Sequence, residues 1–223
     1  MKFIKNQTYH IYNQGNNQRQ LFFEDENYLF FLWKMRAYLS PFGEFISWSL
    51  MPNHFHWQFY VRYVEIERKV YWANIDKVEH QRRLKKYGKK AQPVQNASKR
   101  LTKADSLVDL NEAIGTLEQS YSAAINRQKQ WSGSLFKKGC QAKDGFIPEF
   151  ITLMKNGRED PRFKLGNDYG FICLNYVHYN AVAANMVKEI TDYTWSSAKD
   201  YAGLRNGTLC NLERGRQILD FLP

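Results

Sequence analysis

Residues 44–61 read EFISWSLMPNHFHWQFYV, and the organisation of the chain follows from how that stretch is parsed. Glu44 to Leu50 alternates enough to form a strand, Met51-Pro52-Asn53 interrupts it, and His54 to Val61 alternates again, which predicts a central β-hairpin. Within the second strand a period of two sends His54 and His56 to one face and Phe55 into the opposite layer. At a rise of about 3.3 Å per residue their Cβ atoms lie roughly 6–7 Å apart, a span two ring nitrogens can close onto one cation. A bare His-x-His is more often two half-buried histidines that merely pack. Here a turn stiffened by Pro52 stands directly before the pair, so the six residues Met51 to His56 say more than the two histidines alone.

Outward from the hairpin, Thr8 to Asn13 is a β-rich run closed by Gly15-Asn16-Asn17, which predicts a first strand and a turn. Glu24 to Leu39 places Tyr28, Phe31, Leu32, Met35 and Leu39 at helical spacing behind an acidic first turn, with Pro41 and Gly43 beyond its end. After the hairpin, Leu107 to Gln130 regains helical periodicity through Leu110, Ile114, Leu117, Tyr121 and Ile125, and a short strand is expected near Leu135 to Ala142. The resulting order, β-α-β-β-α-β, is that of the split βαβ, ferredoxin-like plan, an α+β fold around a central antiparallel sheet. Gly145 to Asn156 reads as a further helix, Gly157 to Asp168 as a polar loop, and Tyr169 to Ala184 as a helix with Leu174, Val177 and Ala181 on one side. No internal repeat is visible.

At 223 residues the chain suits one domain, 1–223, with an insertion at 62–106 and a C-terminal extension at 192–223. Hydrophobic residues at 43% and aromatics at 16% argue against general disorder, while a mean hydropathy of -0.60 suits a soluble chain. The formal charge of +10 favours a polyanionic partner. From Arg62 to Ser106 there are 13 basic and 5 acidic residues, so this segment carries +8 and the remainder only +2. It is read as a mobile basic arm in which Arg82, Arg83, Lys85, Lys86, Lys89 and Lys90, near Tyr71, Trp72 and Tyr87, could hold a DNA backbone. A basic run is also often just a solvated face. Cys140, Cys173 and Cys210 are odd in number, widely separated and in no CxxC pairing, which indicates neither a disulfide framework nor a structural zinc site and fits a reducing cytoplasm. No stretch approaches the roughly 18 apolar residues of a membrane span, so no membrane association is expected.

The quoted motif resembles the signature of the HUH single-tyrosine transposases, in particular their REP-associated tyrosine transposase branch, with Phe55 as the hydrophobic residue between the histidines. Further blocks are similar to that family in the same order: Tyr9 to Asn13 with Gly15-Asn16, Gly133 to Lys137, Tyr176 to Asn180, and Asp192 to Ser197 continuing through Asp200-Tyr201 and Gly203. The family's usual Asn-Pro and Ala-Gly are Asn180-Ala181 and Ala184-Asn185 here, so the exit of the tyrosine helix differs. The resemblance implies that Tyr176, on a C-terminal helix, is the nucleophile. It makes His54, His56 and Asn180 the ligands of a divalent metal, Mg²⁺ or Mn²⁺. Helical spacing of i and i+4 independently places Tyr176 and Asn180 on one face, although Tyr176 could equally be a core aromatic among 14 tyrosines.

The same resemblance implies cleavage and rejoining of single-stranded DNA at hairpins, through a 5′-phosphotyrosine and a free 3′ hydroxyl. Two other readings stay open: a domesticated hairpin-binding protein without catalysis, and a relaxase or replication initiator. A homodimer sharing tyrosine helices is also open. His10, in the first strand, could point to the core or to the metal layer, with a structural histidine the commoner case, and His178 has no assigned role.

Overall fold

The computed structural model describes residues 1–88, 92, 94, 106–144 and 169–220. The hairpin at its centre is β2 (Gly43–Met51) and β3 (His54–Val61), paired antiparallel from Gly43↔Val61 to Met51↔His54. Pro52 and Asn53 form the turn. It is held from outside by Leu21 and Phe22, whose N–H groups donate to the Pro52 carbonyl, and by Gly15, whose N–H donates to Asn53 at 2.7 Å. A Cβ at Gly15 would collide with the Arg19 carbonyl, so the tight turn from Gly15 to Arg19 requires glycine.

Strand β1 (Thr8–Gln14) pairs antiparallel with β3, and β6 (Gln141–Asp144) pairs with β1 on its other side. The sheet order β2-β3-β1-β6, all antiparallel, is the ferredoxin-like arrangement expected of two interleaved βαβ units. Two helices link the strands: α1 (Asp25–Leu39) follows β1, and α3 (Leu110–Lys129) lies between β3 and β6. Asp109 caps α3, its carboxylate accepting from the Glu112 N–H at 2.8 Å, a contact worth about 1 kcal/mol. The strand expected near 135–142 begins later, at Gln141; its forerunner is an isolated bridge between Gly15 and Phe136.

Alternation divides the sheet as the hairpin predicts. Phe55, Trp57 and Phe59 are fully buried on one face, where Phe55 stacks on Trp57 at 4.1 Å and Phe31 of α1 meets both rings. Each such aromatic contributes on the order of 2–3 kcal/mol through burial. The opposite face carries His54, His56 and Gln58 and is covered by α4 (Tyr169–Ala183). A bulge between Phe45 and Ser47 in β2 shifts the phase so that Trp48 falls beside Trp57 and Ser49 beside His56.

The segment from residue 62 differs from a mobile arm. Residues Glu65–Glu67 form β4, which pairs with β5 (Leu107–Asp109), and Arg68–Tyr87 form α2, a helix packed on α1. Tyr71, Trp72, Ile75 and Val78 are buried there, an apolar stripe at helical spacing beneath the charges. Lys89, Lys90, the helix expected at 145–156 and the loop expected at 157–168 lie outside the described residues. The C-terminal part covers the free edge of β2: Leu50 N–H donates to the Trp195 carbonyl, Ser197 N–H to Trp48, and Asn211 N–H to Phe45. It includes α5 (Ala198–Tyr201) and α6 (Leu212–Asp220). Among the described residues no helix is long and apolar enough to cross a membrane.

Candidate active site

The two histidines leave β3 on the α4 face because both stand in phase, and the turn at Asn53 orients the first of them. His54 Nδ1 donates to Asn53 Oδ1 at 2.7 Å, which fixes the proton on Nδ1 and leaves Nε2 as a lone-pair donor. His56 lies beside it, ring centroids 5.0 Å apart and nearly perpendicular. Burial pushes the His54 pKa down and holds His56 well below the ordinary histidine range, with His10 and His54 adding to the latter shift. Both rings are therefore neutral at pH 7, the form that ligates a cation.

His10 belongs to this cluster: of the two directions open to it from the sequence, it takes the one toward the histidines. β1 runs beside β3 in a register that pairs His10 with Gln58 and Tyr12 with His56, so both β1 side chains project onto the histidine face. His10 Nε2 lies 2.8 Å from His56 Nδ1, and the rings stack with centroids 5.0 Å apart and an interplanar angle of 18°. When His56 carries its proton on Nδ1, His10 accepts it and His56 Nε2 keeps its lone pair. Alternation along β1 was readable, but which face it shared depended on pairing with a strand 46 residues away in sequence.

Tyr176 comes from α4. Its ring meets His56 edge-on at 5.4 Å and His10 at 5.3 Å, so it faces the histidines rather than the apolar core. Burial raises its pKa above the usual phenol value, with Tyr12 and Cys173 adding smaller contributions. Its hydroxyl has no hydrogen-bond partner among the described residues. Helix α4 is held at two points that sequence reasoning missed. Gln58, fully buried in β3, donates to the Gly170 carbonyl at 2.7 Å. His178 Nε2 lies 2.7 Å from Ser197 Oγ, which also accepts from the Trp48 N–H. Burial lowers the His178 pKa to about 3, so it acts as a neutral strut.

Asn180 stands one turn beyond Tyr176, and its Nδ2 is buried without a hydrogen-bond partner among the described residues. Next to it, Ala181 is fully buried against Met51 and Tyr193. No group of three or more His, Cys, Asp or Glu side chains among the described residues is placed to hold a metal ion. A cation here would rest on His54 and His56 with an amide. The two neutral imidazoles, each with Nδ1 engaged by a neighbour, suit a divalent ion; the orphaned atom of Asn180 is its amide nitrogen, a hydrogen-bond donor, so ligation by this residue would require its amide oxygen to be turned to the histidines.

The basic residues sit elsewhere. Helix α2 packs on α1, and α1 packs on the Phe55 and Trp57 face, so Arg82, Arg83, Lys85 and Lys86 lie across the sheet from Tyr176. Arg82 pairs with Glu79 at 2.7 Å and Arg83 reaches the same carboxylate at 3.5 Å, so part of this charge is neutralised within the helix. Tyr71 and Trp72 are core residues, 1% and 7% exposed, and present no ring for a base to stack on; Tyr87 is exposed. The structure thus brings together His54, His56 and Tyr176 and keeps the basic helix away from them.

No protein-family model matches the chain, and no curated protein does. A solved structure described as a REP-associated tyrosine transposase bound to a REP hairpin matches 91% of this chain and 83% of that one, with a TM-score of 0.51 at 11% identity. The chain shares the fold of that transposase.

Proposed function

We propose that the protein is a metal-dependent single-strand DNA transferase that cuts and rejoins DNA at hairpins through Tyr176. The observation that carries this reading is the convergence of one tyrosine ring on His56 and His10, with His54 alongside, on a fold shared with a transposase that binds a REP hairpin. A core aromatic would not be expected to aim at the polar layer of the sheet, beside neutral imidazoles.

His54 and His56, with Asn180, would hold a divalent cation. When bound, such an ion supplies electrostatic stabilisation of charge developing on the scissile phosphate. The protein's own residues do the rest. Asn53 and His10 hold the outer nitrogens of the two imidazoles, fixing their rings and tautomers. Gln58 and Ser197 anchor α4 so that the Tyr176 oxygen is presented at a set height above β3. Tyr176 Oη forms the bond to phosphorus as the 3′ oxygen departs, and the phenolic proton is transferred overall to that leaving oxygen. The phosphoryl group remains as a diester on tyrosine, so rejoining needs only attack by a 3′ hydroxyl. Burial raises the pKa of Tyr176, so the phenol enters the reaction protonated and gives up its proton as the bond to phosphorus forms.

The test is incubation of the full chain with Mn²⁺ or Mg²⁺ and a hairpin oligonucleotide carrying single-stranded flanks. An SDS-resistant adduct that vanishes with EDTA and in Tyr176→Phe is expected. Hairpin binding indifferent to EDTA, with no adduct across a pool of sequences, would instead favour a non-catalytic DNA-binding protein.

A further inference from the structure

On the side of the sheet away from Tyr176, a cavity of about 630 Å³ opens between α1, the C-terminal end of α2 and the 195–209 segment. Its walls include Trp33, Trp48 and Trp195, three of the six tryptophans in the chain, together with Arg36, Lys85 and Arg205. The position follows from the strand phase: Trp48 pairs with Trp57, whereas Ser49 pairs with His56 on the catalytic face.

The charges in this cavity are not balanced. Arg205 lies over Trp48 at 5.3 Å and is neutralised by Asp200, which it meets at 2.6 and 2.9 Å. Arg36 is half-buried, yet its guanidinium bonds only to a hydroxyl, Thr208 Oγ1 at 2.8 Å, and has no carboxylate partner among the described residues. Burial accordingly lowers its pKa. Lys85 rests over Trp33 at 5.3 Å and likewise has no carboxylate partner among the described residues. A half-buried cation left uncompensated favours an anion, and tryptophan rings beside it favour a flat π-system. Trp195 is already braced from behind, stacked on Tyr28 at 4.4 Å with a 9° interplanar angle. The volume falls within the range of small-molecule pockets and leaves room for one nucleotide.

We propose that this cavity takes one unpaired nucleotide of single-stranded DNA, its base against Trp33 and Trp195 and its phosphate at Arg36 and Lys85. The proposal rests on the DNA reading above and adds to it a contact remote from the bond that is cut. An unpaired base held here would let a strand be gripped on the face opposite the chemistry, independently of the metal.

The experiment compares a dT12 strand with a twelve-residue abasic strand of the same phosphate number, by fluorescence anisotropy in EDTA on the full chain. The wild-type protein should prefer dT12 by about 10-fold or more, the size expected of base–aromatic stacking. Trp33→Ala, checked for native circular dichroism, should lose most of that preference. Arg36→Gln, which leaves the tryptophans in place, should weaken binding of both strands and lower the salt slope by about one counterion. Equal wild-type affinity for the two strands, or a preference that survives in Trp33→Ala and an unchanged salt slope in Arg36→Gln, would overturn the proposal. Adduct formation by the wild type separates the two levels of inference. An adduct with no base preference removes this pocket only, whereas neither adduct nor binding removes the DNA reading itself.

Discussion

Replacing Glu118 by glutamine tests a buried carboxyl whose ionisation the fold opposes. Glu118 projects from α3 beneath β1, where its Oε1 accepts from Asn13 Nδ2 at 2.9 Å and the Cys140 thiol hydrogen-bonds to it. Burial outweighs both bonds and raises its pKa from 4.5 to about 7. Below pH 4.5 the folded and unfolded chains both hold the proton and ionisation costs nothing. Between pH 4.5 and 7 the unfolded chain releases it while the fold keeps it, so stability falls with rising pH by about 1.4 kcal/mol per pH unit and then levels off. The full interval corresponds to about 3 kcal/mol, and partial access of water to the side chain brings the expected value to about 2–3 kcal/mol. Glutamine keeps the acceptor for Asn13 and cannot ionise. In urea unfolding, Glu118→Gln should therefore gain about 2–3 kcal/mol on the wild type between pH 5 and pH 8, or roughly 5–10 °C in Tm for a chain of this size. Parallel stability curves for the two proteins across that range would refute the reasoning.

Other outcomes follow from the same contacts. His10→Leu removes the ring that faces His56 Nδ1, so Mn²⁺ affinity measured by calorimetry should fall about 10- to 100-fold, with His10→Asn restoring part of it; equal affinities would deny His10 an orienting role. Phe55→Ala empties a fully buried site between Phe31 and Trp57 and should cost about 3–5 kcal/mol in chemical unfolding. Tyr193→Phe strips a buried hydroxyl from the Leu50 carbonyl, to which it donates at 2.7 Å. The expected loss is about 1–2 kcal/mol, and a loss near zero would mean that this bond does not hold the C-terminal segment to β2.

The hairpin and its histidines were legible because strand alternation is a local property: the spacing of His54, Phe55 and His56 already states which faces they take. The order of elements was legible for the same reason, and with it the ferredoxin-like sheet. What could not be read depended on partners distant in sequence. His10 joins the site through the register of β1 against β3, and Gln58 and Ser197 anchor α4 through contacts made only once the sheet has formed. In α2 the charges hid a buried stripe: Arg82 and Lys85 drew attention to the surface, while Tyr71, Trp72, Ile75 and Val78 decided that the segment is a packed helix. Nor does the basic run itself say which side of the sheet it will occupy; topology places it across the sheet from the histidines.

The most direct test of the central claim is to digest the SDS-resistant complex formed with Mn²⁺ and a hairpin oligonucleotide, and to locate the modified residue by mass spectrometry. A nucleotide 5′-phosphate attached to the α4 peptide at Tyr176 and nowhere else is expected. A phosphorylated linkage on any other tyrosine, or on a serine or histidine, would contradict it.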